Sequence, residues 1–436
     1  MDLVSTRTGG KTVSFRNAVL DCMPADGGLY VPAREEDLRP WIMYMDETTA
    51  FSSIAGTLTS ALLREEFSPV VCERIAAAAF SGYSPELRQL DEKLYSLELF
   101  HGPTGCHKDF GLAWLSSALE HICAMEERTS MVLAATAGMS GRSMATAFSG
   151  KKRLKTVLVY PKGSLMGLDP SCLAWNGGNI LPVEVEGSLA DAQSLVRSLY
   201  GDRALVERHG LTLANTINIG RLLPQVFFYM YAFTRLRKKV RGDIFYSVPS
   251  GNFGNLVAGL YAWKFSLPVN GFITDASAAL SCDVTGRCVC LDSDVALCSR
   301  GPADPASPSN IERLEQVFEV NPMMLRGLVY PSAVPKDRLP ALMLEARKKY
   351  GVFIDSSTAA AYGAIDAFRD RVNSDEGIVV LVSKDHPVFE ADGIRKICGE
   401  APSIPETMLR AKEPVKGSQV IPADPERLKG ILEGFA

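Results

Sequence analysis

The chain has 436 residues, with 46 lysines and arginines against 50 aspartates and glutamates, for a formal net charge of −4. That length exceeds one ordinary core and predicts two or three packed domains. The near-balanced charge gives no electrostatic ground for nucleic acid or an anionic membrane as partner.

The opening Met1 to Arg7 has no basic stretch ahead of an apolar core, so no export signal is read there. The first roughly 90 residues are less regular, with a helical pattern near Thr49 to Arg64. From there short β-rich runs alternate with helical spacing. Met131 to Ala137 reads as a strand, followed by a glycine turn and a helix over Ser143 to Phe148. Thr156 to Tyr160 and Ile180 to Val185 are further strands, and Ser188 with Asp191 reads as a helix cap. The apolar run Leu222 to Phe233 is about a dozen residues, short of the roughly 20 that span a membrane, so it predicts a buried helix. Asp243 to Val248 predicts a strand, Ser250 to Gly254 a turn and Asn255 to Phe265 a helix; Gly271 to Asp275 and Gly377 to Val382 predict strands. Ala276 to Ser309 reads as a surface excursion and the last thirty residues as a loose arm. This alternation predicts an α/β fold with parallel sheet and flanking helices. The expected division is 1–95, 96–240 and 241–436.

Ten cysteines without an export signal suggest reduced thiols in a cytoplasm. Cys282, Cys288, Cys290 and Cys298 lack C-x2-C spacing and a nearby histidine, so free thiols are expected there and no metal.

Two segments can carry chemistry. Gly251-Asn252-Phe253-Gly254-Asn255 lies between a strand and a helix, where glycines let backbone N–H groups approach an anion and the helix start adds positive potential. A tight packing turn is the alternative. Lys108 opens a helix with apolar spacing at Leu112, Leu115 and Leu119. A cation at a helix start opposes the dipole, which suits a lysine that loses its charge by forming an imine. On spacing alone, a solvated lysine is the simpler reading.

The two segments occur in order with Ser5-Thr6-Arg7, Asp26 to Pro32, His101-Gly102-Pro103-Thr104, Asn218 with Arg221 and Gln225, and Pro308 to Arg313. That ordered set resembles the threonine synthase family of pyridoxal-phosphate enzymes. The resemblance implies two open, mostly parallel twisted sheets with flanking helices and an irregular N-terminal subdomain. It implies pyridoxal 5'-phosphate on Lys108, with the phosphate at Gly251, Asn252, Phe253, Gly254 and Asn255. It also implies conversion of O-phosphohomoserine and water to threonine and phosphate, by a monomer or homodimer acting on a small phosphorylated amino acid. Thr136, Ser140, Lys162, Asn218 and Arg221 are the candidate substrate residues.

The chain departs from that family where chemistry is expected. Ala135-Thr136-Ala137-Gly138-Met139-Ser140-Gly141 replaces Ala-Thr-Ser-Gly-Asp-Thr-Gly, losing a hydroxyl and a carboxylate and adding Arg142 after it. Ser383-Lys384-Asp385-His386-Pro387 stands where the family has a threonine facing the pyridine nitrogen, and Ser383 is the preferred equivalent over Lys384. Asp355 to Ala359 is altered as well. A phospho-lyase giving 2-oxobutyrate, ammonia and phosphate, and a non-catalytic homologue, are the competing readings.

Overall fold

The computed structural model describes residues 1–8, 10–277, 279–282, 288–290, 299–320, 326–369 and 376–436. In chain order the strands are β1 (Asp2–Ser5), β2 (Val13–Ser14), β3 (Tyr30–Pro32), β4 (Glu86–Asp91), β5 (Leu94–Glu98), β6 (Ser130–Ala135), β7 (Leu154–Pro161), β8 (Ile180–Val185), β9 (Leu211–Thr212), β10 (Ile244–Val248), β11 (Gly271–Asp275), β12 (Leu280–Cys282), β13 (Cys288–Cys290), β14 (Val329–Ser332), β15 (Ile378–Ser383) and β16 (Gln419–Ile421).

Two sheets make the body. One has the order β14-β11-β10-β15-β5-β4, the other β16-β8-β7-β6-β9. Every pair in the second is parallel, and in the first only β4 runs against its neighbour. Such strands are covered on both faces and read as continuous apolar runs. Accordingly, every residue of Ile244–Val248 and Ile378–Ser383 is buried. A small sheet, β2-β1-β3, holds the N-terminal region, and β12 pairs with β13 as a hairpin. The expected α/β architecture with two mostly parallel sheets is thus present.

The expected helix near Thr49 to Arg64 is Phe51–Leu63. Its Phe51 packs against Phe80, Phe110, Phe228 and Tyr231. This aromatic cluster ties the N-terminal helices to helix Lys108–Met125 and to helix Val226–Leu236, which contains most of the long apolar run. Among the described residues no helix is long and apolar enough to cross a membrane. Cys282 and Cys288 lie opposite each other in the antiparallel β12-β13 pair, and Cys282 Sγ donates to Pro331 O at 2.6 Å. Cys298 lies outside the described residues.

The sheets do not respect the expected sequence boundaries. β4 and β5 precede residue 99 yet belong to the sheet of β10 and β15. At the other end, β16 joins the sheet of β6 to β9, and helix Pro425–Phe435 buries Leu428 and Leu432 against it. The last residues are therefore packed rather than a loose arm. Two leucines four apart give one apolar helix face, which is enough to dock it.

Candidate active site

β10 and β15 are adjacent and parallel, with Ser247 opposite Leu381. Ligands of open α/β sheets bind beyond the carboxyl ends of strands. A cavity of about 380 Å³ lies there, lined among others by Lys108, Ser140, Arg221, Asn255, Lys384 and Asp385.

The loop after β10 is built to leave donors free. Ser250 is anchored to β11: its N–H and Oγ donate to the Asp275 carboxylate at 2.7 and 2.6 Å. Gly251 then takes a left-handed backbone, as does the buried Phe253 (φ +48° and +62°). A left-handed phenylalanine is strained, and such strain gathers at functional sites. Here the buried ring holds the turn in place. The first ladder bond of helix Gly254–Lys264 runs from Val257 N to Phe253 O. Gly254 N–H donates to Asn252 Oδ1 at 3.1 Å. The N–H groups of Asn255 and Leu256 lie ahead of the ladder, as the first N–H groups of any helix do. Asn255 is fixed from behind, its Nδ2 donating to Gln225 Oε1 at 2.9 Å.

Lys108 is the first residue of helix Lys108–Met125. The preceding turn is held by Asp109, which accepts from Thr104 N at 2.8 Å and from Thr104 Oγ1 at 2.5 Å. It is also held by backbone pairing with the segment after β15: His107 N donates to Lys384 O at 2.8 Å and His386 N to Gly105 O at 2.9 Å. Lys108 Nζ donates to Ser140 Oγ at 3.0 Å. Ser140 sits in the first turn of helix Met139–Phe148. Gly141 beside it must be glycine, because a Cβ there would lie 2.1 Å from the Tyr160 hydroxyl.

Arg221 reaches the cavity as expected. It is 3% exposed, and its Nη1 is buried without a hydrogen-bond partner among the described residues. Burial lowers its pKa to about 10, against the opposing influence of Cys106, Asp109 and Tyr83. It remains a cation.

Four other expected residues stand elsewhere. Thr136 is buried at the end of β6, and its Oγ1 accepts from Gly141 N at 2.9 Å and from Gly138 N at 3.4 Å, so it shapes the turn. The same bonds occupy two N–H groups of that turn. Lys162 is 60% exposed and pairs with Glu186 at 3.6 Å on the surface. Asn218 is fully buried and saturated: Nδ2 donates to Val19 O and Leu213 O, and Oδ1 accepts from Gly220 N. Ser383 faces away, with its Oγ 3.0 Å from Ser96 Oγ. Successive side chains of a strand point to opposite faces, so Lys384 rather than Ser383 enters the cavity. Arg142 is buried as well; it is 8% exposed and its Nη2 donates to Thr407 O at 2.7 Å.

The sequence reading passed over His107 and Asp385. Both line the cavity, and His107 Nδ1 lies 3.2 Å from Asp385 Oδ1. Burial depresses the His107 pKa to about 4, against the hydrogen bond and charge of Asp385, with Lys384 and Lys108 adding repulsion. Burial alone would raise Asp385, but the His107 hydrogen bond and nearby positive charge lower it below the ordinary carboxylate range. No local sequence signal marks this pair, since its members are 278 residues apart.

Comparison with known proteins finds relatives of the whole chain. A family profile described as "Threonine synthase N terminus" matches residues 2–80. Threonine synthase of Escherichia coli (strain K12) is 31% identical over 440 residues, covering 99% of each chain. That of Haemophilus influenzae is 30% identical, covering 94% of each. The crystal structure of threonine synthase from Escherichia coli superposes with a TM-score of 0.79 at 29% identity, over the whole of both chains. A PLP-bound threonine synthase from Brucella melitensis shares the fold, with a TM-score of 0.82 at 22% identity over 100% of this chain and 99% of that one. With relatives of this identity matched end to end, the chain belongs to the threonine synthase family.

Proposed function

We propose that the chain is a pyridoxal-phosphate-dependent threonine synthase, converting O-phosphohomoserine and water to threonine and phosphate. The observation that carries this reading is that Lys108 and the Gly251–Asn255 turn, 143 residues apart by number (251 − 108), meet at one cavity.

The residues present fit the cofactor. A phosphate ester suits a turn with N–H groups ahead of a helix ladder and a glycine at its start. The cavity, about 380 Å³, lies within the roughly 300–1,000 Å³ usual for ligand sites. Lys108 supplies an amine at its wall. When bound, pyridoxal phosphate supplies an electron sink for negative charge developing at the substrate α-carbon.

The chain's own residues do the rest. Lys108 Nζ would hold the cofactor at its aldehyde carbon and, as a free amine, would take the proton from the substrate α-carbon. Ser140 Oγ, at 3.0 Å, orients that nitrogen. Arg221, with an uncommitted Nη1, supplies the cation for the substrate's phosphate, which leaves from the γ-carbon before water adds at the β-carbon. His107 is held neutral at pH 7 and oriented by Asp385, so it can accept or donate a proton at the same wall.

The test is incubation of the purified protein with pyridoxal phosphate and O-phosphohomoserine, measuring threonine, 2-oxobutyrate and phosphate together. Threonine and phosphate in equal amounts support the reading. Phosphate with 2-oxobutyrate makes the protein a phospho-lyase instead, and no phosphate release overturns both.

A further inference from the structure

We propose that the Lys384 ammonium is a direct ligand of the cofactor's phosphate ester, completing the site on the side that the turn's backbone does not cover. This rests on the reading that Gly251 to Asn255 hold that phosphate.

Position is the first argument. Lys384 follows β15 directly, and continuing the β10-β15 register three residues beyond Ser247 and Leu381 sets it level with Ser250. A Cβ built on Gly251 would lie 3.2 Å from Lys384 Nζ. The lysine head therefore rests against the first residue of the phosphate turn, and glycine there leaves it room.

The second argument is its lack of a partner. Lys384 is 9% exposed, yet its Nζ forms no hydrogen bond or ion pair among the described residues. Burying an unpaired ammonium is unfavourable. Three carboxylates act on it, but each is engaged elsewhere. Asp275 accepts from Ser250, Asp355 from Ser357 and Thr358, and Asp385 from His107. Burial lowers the pKa of Lys384, the carboxylates of Asp385, Asp355 and Asp275 oppose this, and Lys108 adds repulsion. A buried cation aimed into a cavity beside an anion-binding turn is matched by a phosphate dianion, through a charge-assisted bond. Where the family has a neutral threonine, this chain has a cation whose reach ends at Gly251.

The experiment titrates the full-length chain, stripped of cofactor, with pyridoxal phosphate and separately with pyridoxal, following imine absorbance and thermal midpoint. Lys384→Met should weaken pyridoxal phosphate roughly 10- to 100-fold, the range for one hydrogen bond to a charged group, and leave pyridoxal within about threefold. Lys384→Arg should restore much of the loss. The stripped Lys384→Met protein should melt no lower than the stripped wild type, since an unpaired buried charge is gone, and should gain less from the cofactor. An equal loss for both ligands would overturn the proposal, by placing Lys384 at the ring or in the fold. No loss for either would also overturn it. If the wild type itself binds pyridoxal as tightly as pyridoxal phosphate, the turn holds no phosphate and the underlying reading fails as well.

Discussion

Lys108 Nζ donates to Ser140 Oγ at 3.0 Å, joining the first turns of two helices, Lys108–Met125 and Met139–Phe148. The contact fixes the amine at the cavity wall. Lys108→Ala should lose the imine absorbance and reduce threonine formation by about 10³-fold or more. Ser140→Ala should retain the absorbance and lower kcat by up to roughly 10²- to 10³-fold, the range for removing one preorganised polar contact. A Ser140→Ala enzyme with unchanged kcat would show that the hydroxyl does not orient the lysine.

Lys108 and the Gly251–Asn255 turn were legible from their place in an ordered set of family motifs; spacing alone favoured a solvated lysine and left a packing turn open. Ser383 and Lys384 differ by one position, and position parity decides which faces the cavity. Ile378–Ser383 is buried throughout, so its sequence has no polar-apolar alternation from which parity could be read. Asn218 looked like a substrate ligand because its polar side chain sits in a motif. Only tertiary structure shows its donors satisfied by Val19 and Leu213. The docking of β16 onto β8 spans more than 200 residues and left no local trace.

Arg221 tests the substrate phosphate. It lines the cavity, and its Nη1, packed against Gly111, has no hydrogen-bond partner among the described residues. Arg221→Met should raise KM for O-phosphohomoserine about tenfold or more while leaving cofactor binding and folding near wild type, since removing a buried charge can be neutral for stability. Arg221→Lys should fall between, keeping the charge but losing the fork. An unchanged KM in Arg221→Met would remove the residue from the substrate site.

Acid should weaken the fold in a defined window. His107 is depressed from the ordinary 6.5 to about 4 by burial, opposed by Asp385. Burial likewise takes His386 to about 4, with repulsion from His101 and a weaker opposing pull from Glu98. His386 Nδ1 also accepts the Val388 N–H at 3.1 Å, a bond that requires that nitrogen unprotonated. In both cases the unfolded chain takes up the proton first, so stability is full above pH 6.5 and falls as pH drops towards about 4. For His107 the loss is on the order of 3 kcal/mol across the window. Thermal midpoints from pH 7 to 4 should decline, and His107→Asn should flatten the slope. A slope unchanged in that variant would show that His107 titrates normally.

Arg313 links the N-terminal sheet to the Gly251–Asn255 turn, and its replacement should reach both. Its guanidinium is fully buried and donates to Tyr30 O at 3.0 Å, Ile217 O and Asn310 Oδ1 at 2.8 Å, and Thr216 O. Asn310 Nδ2 in turn donates to Thr216 Oγ1 at 3.0 Å, and Asn252 Nδ2 donates to the same hydroxyl at 3.1 Å. A lysine carries the charge but cannot fork to carbonyls of two segments. Arg313→Lys should therefore cost about 2–4 kcal/mol in chemical unfolding, through buried carbonyls left unpaired. It should also weaken pyridoxal phosphate several-fold, because Asn252 belongs to the turn that Asn310 and Thr216 support. Stability loss with unchanged cofactor affinity would confine Arg313 to docking β3 and would separate the turn from this network. Unchanged stability would show that solvent or a shifted lysine satisfies the three carbonyls.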